Sequence, residues 1–435
     1  MKPTNLVVRL SGALRGRVRV PGDKSISHRA LLLGAIAEGR THVQGFLPSA
    51  DCLATLRAVR ALGVHIEEQS ATALVIHGRG LRSLQEPEDV LDCARSATTM
   101  RLLAGLLSGQ PFLCVLTGSP QLRHRPMDRI VEPLQRMGAT ILGRDGGRWP
   151  PLVVKGGDLH GISYSLAVAS AQVKSAILLA GLYARGPTTL HVPGPARDHT
   201  ERMLVAMGAK IRVANSDVQI APAHRLQAVH DLTVPGDLSS AACLVVAATL
   251  ISGSNITVEG IGVNPTRTGL LDILQVMGAD VTLRNAGTTN GEPAADLTVR
   301  SSELHGAKVG GDLVVRAIDE FPILAVAATQ AHGTTIVRDA EELRVKETDR
   351  ISTTVKELGR LGAQIESRPD GFSIRGPTPL RGTTVRSHGD HRLGMALTVA
   401  GLIATGETVV QDIGCIADSF PGFGDTLVHL GGHVS

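Results

Sequence analysis

The sequence predicts an α/β (α+β) protein assembled from one small unit used six times. Three observations carry that reading. Six segments share one plan at intervals of roughly 70–80 residues, a longer period than solenoid repeats use. A second pattern recurs between them. And 435 residues exceed one ordinary hydrophobic core, so two domains are expected, yet no Pro- or Ser-rich linker separates the repeats. A cut near Thr233–Gly236 would fall between the third and fourth units.

In order, the six segments read DKSISHRALLLGAIAEGRTHVQG, RSATTMRLLAGLLSGQPFLCVLTG, SAQVKSAILLAGLYARGPTTLHVPG, SSAACLVVAATLISGSNITVEG, DEFPILAVAATQAHGTTIVRD and DHRLGMALTVAGLIATGETVVQD. Each is a polar loop, an Ala/Leu-rich helical run, a small residue and a β-branched strand. The helical runs are apolar nearly all round, which suits helices buried inside a cluster of subdomains. The second pattern is Leu-Gly or Met-Gly followed by strand, turn and strand, at Gly63, Gly138, Gly208, Gly278 and Gly362. Glycine there reads as a helix C-cap, where positive φ is common. The strands alternate with period two, as a half-buried sheet requires. Each unit therefore holds about two helices and three or four strands.

Composition narrows the function. Hydrophobic residues make up 43% but aromatics only 2%, so the core is aliphatic and platforms for base stacking are few. Lys plus Arg number 44 against 40 Asp plus Glu, so any basic character that matters is local. The first twenty residues lack a long apolar stretch and carry Arg9, Arg15, Arg17 and Arg19, so no secretory signal is expected. Apolar runs such as Ala241–Ile251 are too short to cross a bilayer. The five cysteines, Cys52, Cys93, Cys114, Cys243 and Cys415, have no CxxC spacing and read as reduced buried thiols of a cytoplasmic protein, with neither a zinc site nor a disulfide frame.

The polar loops carry the chemistry. Pro21–Arg29, PGDKSISHR, opens into an apolar helix and offers Lys24, Ser25, Ser27 and Arg29 at the positive end of its dipole. That is a socket for phosphate or carboxylate, or else a capped helix with solvated charges. Its counterparts offer Arg95, Ser96, Thr98 and Arg101; Ser170, Gln172 and Lys174; Asp319 and Glu320; and Asp390, His391 and Arg392. Arg123 and Arg125 stand in TGSPQLRHRP, and RVKETDR packs Lys346, Glu347, Asp349 and Arg350 together. Any one cluster alone reads equally well as surface ion pairs. Five in corresponding places of a repeat favour an enzyme that holds polyanionic small molecules with cations and moves protons with acids.

PGDKSISHR, SATTMRLLAG, HRPMDR, SAQVKSAILLAGL, RDHTERM, PGDLSSAA, RVKETDR and GDHRLGMA, in order through essentially the whole chain, resemble the 5-enolpyruvylshikimate-3-phosphate synthases, and SAQVKS and RDHTE resemble their second bacterial class. The resemblance implies transfer of the enolpyruvyl group of phosphoenolpyruvate to the 5-hydroxyl of shikimate-3-phosphate, with release of phosphate, in aromatic amino acid biosynthesis. It implies a two-domain inside-out α/β barrel of six βαβαββ units, residues 1–20 with 234–435 forming one domain and 21–233 the other, closing over the substrates. It implies that Lys24 reaches both substrates; that Ser25, Arg29, Ser170, Ala171, Gln172, Arg197, Asp319 and Lys346 hold shikimate-3-phosphate; and that Ala97, Arg125, Gln172, Arg350 and Arg392 hold phosphoenolpyruvate. Asp319 would accept the hydroxyl proton and Glu347 would protonate the methylene carbon. A cytoplasmic monomer is implied, needing no metal or organic cofactor and binding neither nucleic acid nor membrane.

Two departures stand out. Where the family carries Gly-Asn-Ser/Ala-Gly-Thr, this chain reads Ala94-Arg95-Ser96-Ala97-Thr98. A methyl group at Ala97 narrows the phosphoenolpyruvate pocket, so poor binding of glyphosate is expected. Arg95 either adds a phosphate contact or turns outward. The family's lysine before Thr-Phe-Pro is absent from Ala417-Asp418-Ser419-Phe420-Pro421. The sister enolpyruvyltransferase acting on UDP-N-acetylglucosamine uses a loop cysteine six residues before an Arg-Pro proline, where this chain has Pro120. A non-catalytic anion or nucleic-acid binder on the same scaffold is opposed by the acid pair Asp319 and Glu347.

Overall fold

A computed structural model describes residues 5–435 of the protein. The polar-loop-then-apolar segments fold as six helices: α1 (Lys24–Ile36), α2 (Ala97–Leu107), α3 (Ala171–Gly181), α4 (Leu238–Leu250), α5 (Phe321–Gln330) and α6 (His391–Ile403). Five begin on a side-chain cap. Asp23, Ser96, Ser170, Asp237 and Asp390 each accept a first-turn backbone N–H that would otherwise lack a partner. The fifth helix, α5, instead starts with Pro322 in its first turn, where the missing N–H forfeits no helical bond. The six helices are buried along nearly their whole circumference, so their sequences carry no polar stripe.

The chain divides into two units, one comprising residues up to Pro21, Pro235–Gly287 and Pro293–Ser435, the other Gly22–Val234 with Thr288–Glu292. The last segment is the tip of the hairpin Asp280–Thr289/Glu292–Arg300. No feature of the repeat marks this excursion.

The second unit contains α1, α2, α3 and three four-stranded sheets. One consists of β1 (Glu38–Gln44), β2 (His65–Ser70), β3 (Ala73–Arg79) and β4 (Asp231–Thr233), in the order β4-β1-β3-β2, so β2 is an edge. In it β4 runs parallel to β1, and β3 pairs antiparallel with both β1 and β2. The sheets Leu91–Asp92, Leu113–Thr117, Trp149–Lys155, Thr140–Arg144 and Ser163–Ser165, Thr188–His191, Asp217–Ile220, Ile211–Ala214 repeat that order of one parallel and two antiparallel pairings. Small residues let the helices come together. A Cβ on Gly105 of α2 would lie 2.2 Å from the carbonyl oxygen of Ala176 in α3, so only glycine fits.

The first unit contains α4, α5, α6, and its apolar side chains form a separate core cluster. Its sheets are Leu6–Arg9, Glu407–Gln411, Thr384–Arg386; then Asp280–Thr289, Glu292–Arg300, Asn255–Gly262, Arg15–Val18; then Lys308–Val309, Gly333–Val337, Gly371–Gly376, Gln364–Arg368. The strands Leu6–Arg9 and Arg15–Val18 thus join two different sheets.

The five glycines after Leu or Met all take positive φ, 85°, 106°, 89°, 102° and 94° in chain order, as their reading as helix terminators requires. All five cysteines are free and buried. Burial pushes the Cys114 and Cys243 thiols up to about 12, and those of Cys52 and Cys93 higher still. Among the described residues no helix is long and apolar enough to cross a membrane.

Candidate active site

In the second unit the expected residues gather at the starts of α1, α2 and α3. Gln172 of α3 donates to Thr98 of α2 and Arg29 of α1 donates to Ser175 of α3, so the three helices are tied together near their N-terminal turns. Lys24, the first residue of α1, places Nζ 3.2 Å from Asp51 Oδ2, with both side chains mostly buried. Arg29, one turn on, is 3% exposed. Its Nε donates to Thr200 Oγ1 (2.7 Å), its Nη2 to Ser175 Oγ (2.7 Å) and its Nη1 to the Ser25 carbonyl (2.9 Å). Burial holds the guanidinium down at about 10, with Glu201 and Asp23 pulling it back up. Three of its five N–H groups are spent on the protein, which leaves two for a ligand.

Gln172 in the first turn of α3 is gripped at both ends. Its Nε2 donates to Thr98 Oγ1 at 2.8 Å, and its Oε1 accepts a short bond from Arg101 Nη1. Arg101 Nη2 in turn donates to the Pro126 carbonyl at 2.8 Å, tying α2 to the segment that carries Arg125. Ser170 caps α3, and Ala171 is its half-buried first residue. Lys174 pairs with Glu201 at 2.5 Å in a nearly dry setting, also donating to the Ala196 carbonyl (3.3 Å) beside half-buried Arg197.

Ala97 is the first residue of α2 and is 4% exposed. Ala94 before it stands at φ 51°, the left-handed region that a glycine would occupy without strain. Arg95 donates through Nε to Gln121 Oε1 at 2.9 Å, which settles its side chain against the Thr117–Pro126 loop.

In the first unit one guanidinium organises the acids. Arg350, the first residue of the helix Arg350–Arg360, is 2% exposed. Its Nε donates to Asp390 Oδ2 (2.8 Å), its Nη1 to Asp319 Oδ1 (3.2 Å) and its Nη2 to Glu347 Oε2 (2.7 Å). Burial alone would lower its pKa, but Asp390, Glu347 and Asp319 outweigh it and hold the cation firmly protonated. Asp390 is fully buried and does two jobs, capping α6 through the Arg392 N–H (2.9 Å) and gripping Arg350. Asp319 and Glu347 keep 22% and 25% of their side-chain surface, so they remain open to a reactant. Lys346 is half-buried beside them, its pKa lowered first by desolvation, against the pull of Asp319 and Glu342. Arg392 is 6% exposed, and its Nη1 is buried with no hydrogen-bond partner among the described residues. A buried cationic donor left unpaired suits an anionic ligand.

The expected residues therefore form one cluster in each unit: Lys24, Ser25, Arg29, Ala97, Arg125, Ser170, Ala171, Gln172 and Arg197 in the second, and Asp319, Lys346, Glu347, Arg350 and Arg392 in the first. Asp51, Ser175, Thr200 and Glu201 hold these side chains without having been singled out. Ser175 stands in SAQVKS and Thr200 and Glu201 stand in RDHTERM, whereas Asp51 carries no signal beyond being polar.

The family model described as EPSP synthase (3-phosphoshikimate 1-carboxyvinyltransferase) matches residues 8–427. The chain is 53% identical over 419 residues to a 3-phosphoshikimate 1-carboxyvinyltransferase of Syntrophotalea carbinolica, covering 96% of this chain and 97% of that one. It is 50% identical over 422 residues to the protein so named from Desulforamulus reducens, covering 97% and 98%. A solved structure of EPSP synthase from Acinetobacter baumannii superposes with a TM-score of 0.90 at 43% identity, over 99% of both chains.

Proposed function

The chain belongs to the EPSP synthase family, and from that premise we propose that it transfers the enolpyruvyl group of phosphoenolpyruvate to the 5-hydroxyl of shikimate-3-phosphate and releases phosphate. The observation that carries the mechanism is the single buried guanidinium of Arg350 bonded to both Asp319 and Glu347. It fixes a proton acceptor and a proton donor relative to each other.

In the first step Glu347 protonates the methylene carbon of phosphoenolpyruvate. As C2 becomes electron-poor, the 5-hydroxyl oxygen bonds to it and Asp319 takes the hydroxyl proton. The tetrahedral adduct then loses phosphate as a methyl proton returns to a carboxylate, restoring the double bond. Lys24, Ser25, Arg29, Ser170, Ala171, Gln172, Arg197 and Lys346 orient shikimate-3-phosphate, while Arg125, Arg350 and Arg392 grip phosphoenolpyruvate along with Lys24 and Gln172. Holding both reactants in one orientation supplies about 7–11 kcal/mol of the barrier reduction. On this reading both clusters of cations and acids serve the one reaction.

Each unit is read as a barrel of three βαβαββ repeats with its helices inside. The recurring strand order of the second unit and the all-round burial of the six helices support this. The enzyme works as a cytoplasmic monomer, and Ala97 makes it tolerant of glyphosate.

Phosphate release from phosphoenolpyruvate is measured with shikimate-3-phosphate and, separately, with UDP-N-acetylglucosamine. Release with the first acceptor alone is expected; release only with the nucleotide sugar overturns the assignment. Glu347→Gln should bind both ligands yet turn over about 10²–10⁴-fold more slowly, the contribution of a positioned acid.

A further inference from the structure

Away from both clusters, on the sheet β4-β1-β3-β2, His65, Glu67 and His77 come together. They are the one group among the described residues in which three His, Cys, Asp or Glu ligand atoms all lie within 4.8 Å of one another. We propose that these three side chains form a binding site for a divalent transition ion of the zinc class, bridging β2 to β3.

Register brings them there. His65 on β2 lies directly opposite His77 on β3, and Glu67 is two residues from His65, so all three project from one face. That face is the one turned from the helix: Ile76, on the opposite face of β3, packs against Gly34 of α1. His77 Nε2 lies 2.7 Å from Glu67 Oε1, His65 Nε2 lies 3.5 Å from the same oxygen, and the two rings are 4.9 Å apart between centroids. Ligand atoms about 2.0–2.2 Å from a tetrahedral zinc are about 3.3 Å from one another. The two measured edges, 2.7 and 3.5 Å, lie on either side of that value. An ion therefore needs only small rotations of the three side chains, and would take the place of the hydrogen bond between His77 and Glu67.

The donor set suits the ion. Two borderline imidazoles beside one hard carboxylate match zinc, nickel or copper rather than calcium or magnesium, which take all-oxygen sets. The glutamate offsets one of the two positive charges. The exposed guanidinium of Arg40, opposite His77 on β1, opposes the cation, but through water. Three protein ligands leave a fourth position for water. The buried cysteines do not compete, since their thiols are held in the neutral form and out of reach.

Such an ion would clip the edge strand β2 to its neighbour. The test is a Zn²⁺ titration of the full-length, chelator-treated protein against a chromophoric competitor at neutral pH, repeated with His65→Gln, His77→Gln and Glu67→Gln. Each variant is checked for unchanged phosphate release from phosphoenolpyruvate, which shows it is folded. One equivalent bound by the wild type, weakened at least about tenfold in either histidine variant, is expected, because removing one of three ligands exceeds the second-shell losses of about 10–100-fold at its lower end. The ring-proton resonances of His65 and His77 should shift together on adding Zn²⁺. Equal affinity in the wild type and both histidine variants, or no bound equivalent in the wild type, overturns the proposal.

Discussion

Replacing Asp390 by asparagine removes one negative charge beside Arg350 while leaving an amide oxygen able to cap α6. The carboxylate is fully buried and meets the guanidinium at 2.8 and 3.3 Å. Truncating one side of a buried, hydrogen-bonded ion pair costs about 3–5 kcal/mol, because the remaining charge loses compensation. Asp319 and Glu347 still face Arg350, so the low end applies, about 3 kcal/mol. Against a total stability of about 5–15 kcal/mol this is large. With a urea dependence of about 2–3 kcal/mol per molar, the unfolding midpoint followed by far-ultraviolet circular dichroism should fall by about 1 M. Asp390→Ala should cost about 0.5–2 kcal/mol more, the worth of the lost cap. Turnover should drop in both, since Arg350 is no longer anchored from behind while it holds Asp319 and Glu347. A midpoint within about 0.3 M of wild type would refute the reasoning, for it would mean that water and not Asp390 balances Arg350.

Ala97→Gly should tighten glyphosate inhibition by about tenfold or more, the usual worth of one carbon in a close pocket, with phosphoenolpyruvate turnover largely kept; an unchanged inhibition curve sinks the role given to that methyl. His28 is buried with Nδ1 2.7 Å from Thr55 Oγ1, and burial holds its pKa down to about 3 against an unfolded value of 6.5. Between those values the unfolded chain takes up a proton that the folded chain refuses, so stability falls as pH drops, by about 1.4 kcal/mol per unit. His28→Gln should flatten the pH dependence of urea unfolding between about pH 6 and 4 by that slope, and an identical slope in the variant would show that His28 is not the group responsible. Arg101→Lys keeps the charge but not the planar fork that grips both Gln172 and the Pro126 carbonyl; kcat/KM should fall about tenfold with little change in thermal midpoint, whereas an equal loss of stability would point to a purely structural role.

Much of the fold was legible because its causes are local. A capping residue before an apolar run announces five of the six buried helices, and a glycine after Leu or Met announces where a helix stops. The loop cations and acids were legible for the same reason, standing at repeated positions. What binds them was not. Arg29 spends its donors on Ser175 and Thr200, which lie 146 and 171 residues away. Hydrogen bonds of that reach leave no periodicity in a sequence. Lys174, grouped by its position with the loop cations, turns out to be committed to Glu201. Nor could the order of residues show that one arginine, Arg350, gathers three carboxylates, since Asp319 and Asp390 reach it from the segments preceding two different helices, α5 and α6. The excursion of Thr288–Glu292 into the other unit likewise depends on where a hairpin points, which pairing patterns do not encode.

The burial of every thiol has a practical consequence. Burial holds the Cys114 and Cys243 thiols well above their ordinary range, so at pH 7 the thiolate, the form that attacks maleimides, is scarce. The native chain should therefore be silent to such labels. Cysteines introduced at two exposed valines, Val205 in one unit and Val276 in the other, would be the only reactive positions without deletion of any native residue. A dye pair on these sites would report any change in the distance between them on adding phosphoenolpyruvate and shikimate-3-phosphate, read on an otherwise unaltered enzyme.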